Sequence, residues 1–161
     1  RLDDVGFVNT VQYTNGSGEA LKVLFGLRDV NTVSNTFSGS YIFNNKMSLS
    51  MRARHYWSKA EYNDFFKLTE QGRLAPDDYR NNHNVNFNAF NIDMVYSWWF
   101  APGSEISIVW KNAILDRRDD IVPQYFDNFT NTVTSPQNNS LSIKVLYFID
   151  YLTIKNKLKR S

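Results

Sequence analysis

Between Lys46 and Trp57 the chain reads KMSLSMRARHYW, and apolar and polar residues alternate almost without interruption. Met47, Leu49, Met51, Ala53, His55 and Trp57 hold one set of alternate positions, and Lys46, Ser48, Ser50, Arg52, Arg54 and Tyr56 hold the other. Side chains of an extended strand point to opposite faces in turn, so a period of two predicts a β-strand with one oily face and one polar, cationic face. The same pattern recurs along the chain. Asp4 to Tyr13 alternates weakly, with Val5, Phe7, Val11 and Tyr13 assigned to one face, before a tight turn at Asn15-Gly16-Ser17-Gly18. Ala20 to Arg28 sets Leu21, Val23, Phe25 and Leu27 against Lys22, Leu24, Gly26 and Arg28. After a polar break at Asp29 to Asn31, Val33 to Phe43 forms another segment, and Asn44-Asn45 turns the chain into the strand at Lys46, which continues weakly to Phe66. Alternation returns with Phe90, Ile92, Met94, Tyr96, Trp98 and Phe100, turns at Ala101 to Ser104, and resumes through Ile106, Ile108, Trp110 and Ile114. The last segment places Leu141, Ile143, Val145, Tyr147, Ile149 and Tyr151 opposite Ser142, Lys144, Leu146, Phe148 and Asp150.

The predicted fold class is all-β, an antiparallel meander. Glu70 to Asn84 and Leu115 to Asn139 read as long irregular loops, while the connections after Phe43 and Phe100 are short. Short turns on one side and long loops on the other are the asymmetry of outer-membrane β-barrels, and about eleven alternating residues tilted near 45° span about 25 Å, the height of a lipid-facing band. On that reading Trp98, Phe100 and Tyr151 fall near the lower aromatic girdle and Trp57 near the upper. Six of the segments are convincing strands, and Asn128 to Thr134 is a further strand candidate. A closed bacterial membrane barrel has at least about eight, so residues 1–161 are expected to be the C-terminal portion of a barrel, without an internal boundary, completed by strands upstream or from a partner. A soluble β-barrel or sandwich binding module that buries the oily face would give the same alternation and is the alternative.

Composition sharpens the picture at a few points. With 42% hydrophobic and 21% charged residues the chain is a folded one, and no apolar run is long enough for a transmembrane helix. A formal charge of +2 makes no case for nucleic acid. The absence of cysteine removes disulfides, a thiol nucleophile and thiolate metal sites. The chain opens on Arg1 rather than an initiator, as a mature form or a fragment would.

Candidate chemistry is sparse. Arg52, Arg54, Asp93, Glu105, Lys111, Lys144 and Asp150 lie on the polar faces and would point into a barrel lumen, chiefly as an ion-pair and hydrogen-bond network. The sharper expectation is that Arg52 and Arg54 bias a pore toward anions. Tyr125, Phe126 and Phe129 are loop aromatics that would either stack on a sugar or pack the loop onto itself, the second being favoured. His55 falls on an oily face and His83 in a loop, neither with a partner at metal-ligand spacing, and the serine-rich strands have no histidine on their own face. The sequence therefore predicts no enzyme, no metal and no cofactor. The pairs Asp77-Asp78 and Asp119-Asp120 read as solvated loop charge.

The segments YIFNNKMSLSMRARHYWSKAEY, NNHNVNFNAFNIDMVYSWWFAPGSEISIVWKNAI and NNSLSIKVLYFIDYL resemble the C-terminal part of a family of large Gram-negative outer-membrane proteins, over roughly Thr32 to Leu152, with HYWSK, FNIDM and FAPGS the most specific stretches. In that family an N-terminal domain similar to the family-nine carbohydrate-binding module precedes a long domain of unknown function expected to be an outer-membrane barrel. The resemblance implies a bacterial outer-membrane location, outer-membrane lipid as a partner, and carbohydrate binding only through an upstream domain not present in these residues. It brings no catalytic motif and names no oligomeric partner.

Overall fold

The computed structural model describes residues 2–15, 18–151 and 155. The fold is all-β and antiparallel, with one short helix. Its strands are β1 (Leu2–Asn15), β2 (Gly18–Asn44), β3 (Met47–Leu68), β4 (Leu74–Asp77), β5 (Val85–Ala101), β6 (Ser104–Arg118) and β7 (Gln137–Leu146), and helix α1 (Tyr125–Val133) lies between β6 and β7. The strands run side by side in the order β1-β2-β3-β5-β6-β7, with β4 paired to β3, so each long strand adjoins its neighbour in sequence. This is the meander that the alternation predicts, with β1 and β7 at its margins.

Several boundaries differ from the sequence reading, each for a local reason. Ala20–Arg28 and Val33–Phe43 belong to one strand, β2, because the polar residues between them include neither proline nor glycine; Asp29 and Val30 keep their register with Asp3 and Leu2 of β1. In β1 the register shifts between Phe7 and Asn9: Phe7 pairs with Phe25, yet Val11 pairs with Lys22 and Tyr13 with Ala20. A β-bulge there reverses the alternation, so Val11 and Tyr13 do not share a face with Val5 and Phe7. The segment read as a featureless loop contains β4, which pairs Leu74 with Leu68 and Asp77 with Phe65.

Asn128 to Thr134, the extra strand candidate, lies within α1 and its C-cap instead. Its phenylalanine, threonines and valine favour strands, but Tyr125, Asn128, Phe129 and Thr132 recur at helical spacing and are its inward positions. Thr134 Oγ1 donates to Thr130 O at 3.0 Å near the helix end, and Pro136 follows. The last strand begins four residues before Leu141 and ends at Leu146, so Tyr147, Ile149 and Tyr151 are not part of it.

The short turns are built by their residues. At the β2–β3 turn the Lys46 amide donates to Asn44 Oδ1 at 2.8 Å. At the β5–β6 turn Gly103 takes φ +69°, which only glycine adopts freely, and a Cβ there would sit 2.9 Å from Phe148 Cβ.

The chain divides into two compact units. The first takes in Arg1–Asn35, Arg54–Phe90 and Ile114–Gln137, and the second Thr36–Ala53, Asn91–Ala113 and Asn138–Ser161. Among the described residues the buried apolar side chains, Leu24, Trp57, Phe65 and Ile114, all belong to the first.

Candidate functional site

In the second unit, polar positions of three strands converge on a hollow of about 510 Å³. Ser38 and Ser40 come from β2, Ser50 and Arg52 from β3, and Asp93 from β5. Strand alternation delivers these side chains to one side, and their short hydroxyls leave room between the guanidinium and the carboxylate. A smaller hollow of about 80 Å³ brings Glu105 of β6 beside Lys144 of β7, with Ser107. Each hollow thus holds one cation and one anion, an arrangement closer to a balanced polar lining than to a basic ring. Of the other residues singled out in the sequence, Arg54 is exposed in the first unit, and Lys111 and Asp150 are exposed in the second; none of the three lines these hollows.

The first unit holds a different kind of polar cluster, beneath α1. Trp57 Nε1 donates to Asn86 Oδ1 at 2.6 Å. Asn128 of α1 accepts from Asn86 Nδ2 and Asn88 Nδ2, each at 3.0 Å, and returns a bond from its own Nδ2 to Asn88 Oδ1 at 2.7 Å. His55 Nε2 lies 3.3 Å from that same Oδ1, and its Nδ1 lies 3.1 Å from the Tyr125 hydroxyl, which accepts from Asn35 Nδ2 at 2.9 Å. An amide oxygen can only accept, so His55 carries its proton on Nε2 and Tyr125 donates to Nδ1. The bonds form a directed chain from Asn35 through Tyr125 and His55 to Asn88. Among the described residues no buried side-chain nitrogen or oxygen lacks a partner, so the cluster is a complete network that fixes α1 on the sheet.

This geometry corrects two expectations. Trp57 is buried under α1, not placed on a lipid-facing girdle, because its indole N–H is held by Asn86. Asp77 is not solvated: its side chain is 8% exposed and pairs with Lys22 Nζ at 2.9 Å. The loop aromatics part company. Tyr125 and Phe129 face inward, with ring centroids 5.6 and 5.1 Å from that of His55, whereas Phe126 is exposed. Sequence reasoning passed over Asn35, Asn86, Asn88 and Asn128. The available signal was the run Asn84, Asn86, Asn88, which extends the β5 alternation backwards in polar residues.

Neither the curated proteins nor the solved structures contain a match to the chain. A family described only as a domain of unknown function (DUF5916) matches residues 1–158, and the chain belongs to that family.

Proposed function

We propose that the chain forms part of an outer-membrane β-barrel within a longer protein, with its serine- and charge-bearing side lining the lumen and its oily side against lipid. One observation carries this reading. In the second unit Phe37, Leu141 and Ile143 are 62%, 66% and 64% exposed, while Arg52, Asp93, Glu105 and Lys144 line hollows. Arg52 and Lys144 are open as well, but a soluble sheet buries its oily side in a core, and exposed apolar residues on both β2 and β7 mark an interface with lipid or another apolar partner. The margins β1 and β7 support it as well, since lipid does not tolerate unpaired strand edges and further strands would complete the sheet. In the whole protein this reading admits solute passage through the lumen, or carbohydrate-linked binding.

The test is a paired substitution in the full-length protein. Val145→Arg, on the oily side, should cost about 2 to 4 kcal/mol of folding stability in lipid, and Ser142→Arg, on the other set of positions of β7, much less. Equal cost at the two positions, or full-length protein that stays in solution without detergent, would favour a soluble barrel or sandwich.

A further inference from the structure

Within the first unit, β3 and the segment that follows β4 enclose a hollow of about 420 Å³, lined by Tyr62, Asn63, Asp64 and Phe65 and by residues 80–84. That volume lies in the range of small-ligand sites, roughly 300 to 1,000 Å³. Aromatic rings pack into its wall. Tyr62 and Phe65 lie parallel with centroids 6.2 Å apart, and His83 stacks on Tyr79 at 5.5 Å.

Two amides of the hollow, Asn84 and Asn81, are half used, and the used half fixes the other. Asn84 Oδ1 accepts the Tyr62 amide at 2.8 Å, leaving Nδ2 as a donor. Asn81 Nδ2 donates to the Tyr79 hydroxyl at 3.1 Å, and that hydroxyl lies 2.8 Å from His83 Nε2, so Asn81 Oδ1 is left as an acceptor. Asn82 ties the segment in place by accepting from the Asn84 amide at 2.9 Å and donating to Asp119 O at 3.1 Å. The side chains of Asn63 and Asp64 make no hydrogen bond or ion pair among the described residues. The single carboxylate, Asp64, is matched by the single guanidinium, Arg80.

We infer that this hollow binds a neutral saccharide. A sugar hydroxyl donates and accepts at once, so it is served by donors and acceptors in alternation, which held amides and one carboxylate provide. Balanced charge gives no advantage to an ionic ligand. Asp64 and Asn63 each bond a hydroxyl, Asn84 Nδ2 donates to a further oxygen, and Asn81 Oδ1 accepts. The inference is independent of membrane placement.

Calorimetric titration of the full-length protein in detergent with maltohexaose, cellohexaose, xylohexaose and chitohexaose tests it. At least one should bind, and Asn63→Ala and Asp64→Ala should each weaken that binding about tenfold, the effect of one lost hydrogen bond to a charged or amide group. Both side chains are exposed and unbonded, so melting should not change, and Asp64→Asn, which keeps an acceptor, should retain most of the affinity. No heat from any of the four sugars up to about 10 mM, a concentration that still reveals weak complexes, would overturn the proposal. Binding left unchanged by both alanine variants would do the same, since the sugar would then sit elsewhere.

Discussion

The two units use the same strand periodicity toward opposite ends. In the first, both sides of the sheet are occupied: α1 covers the positions of His55, Trp57, Asn86 and Asn88, while on the other side Tyr62 of β3 packs on Gly26 and the segment after β3 is fastened through Lys22–Asp77. In the second, the buried residues among those described are polar, Ser104 and Asn112, and its oily positions are partly or fully exposed. Alternation alone therefore says that a strand has two unlike sides; what covers each side decides what its residues do. His55 and Met47 sit on the same set of alternate positions of β3, yet one belongs to a hydrogen-bonded interior and the other to an apolar surface.

The largest expected contrast is at Asn128. Asn128→Ala removes the acceptor shared by Asn86 and Asn88 and the donor to Asn88, stranding buried amides, and should destabilise the protein by about 3 kcal/mol. Ser140→Ala on exposed β7 of the second unit should change melting by no more than about 0.5 kcal/mol. Similar melting of the two variants in detergent would break the distinction between a packed and an open unit.

A smaller contrast lies within β2. At Gly26 a Cβ would come within 2.4 Å of Tyr62 Cδ1 and 2.9 Å of Val8 Cγ2, so Gly26→Ala should cost about 2 kcal/mol through overpacking. At Gly39 the nearest atoms, on Phe37, are 3.8 Å away, and Gly39→Ala should be neutral or stabilising by about 0.5 kcal/mol. Denaturant midpoints of the two variants measure the difference in packing directly.

The smallest effect on stability is expected at Arg52, which is exposed beside Asp93 in the open hollow. Arg52→Ala should leave melting within about 0.5 kcal/mol. In the proposed barrel it should nevertheless move the planar-bilayer reversal potential toward cations, because Asp93 remains. An unchanged potential would place Arg52 away from any conduction path.

The β-strands were legible in the sequence because oil meets oil at every second residue. What escaped notice was whatever departs from that rule locally. The bulge near Val8 changes the phase by one residue without changing composition. β4 is four residues long, too short for a period to register. Helix α1 is written in threonine, asparagine and aromatic residues, whose intrinsic preference is for strands and turns. Asn86 and Asn88 are fully buried, yet an asparagine carries no mark of burial until its partners are known. That Arg52 and Asp93 line one hollow required the register across the long loop between β3 and β5, and the companion hollow of Glu105 and Lys144 required the register between β6 and β7.

The bond from Trp57 to Asn86 also gives the protein an internal optical reporter. Of its four tryptophans, Trp57 alone lies in the first unit, sealed from water, while Trp98, Trp99 and Trp110 belong to the second, where Trp98 and Trp99 are exposed. With Trp98, Trp99 and Trp110 replaced by phenylalanine, the remaining emission comes from one indole beneath α1. Its spectrum then follows the seating of that helix, and a shift to longer wavelength times its departure without any attached dye.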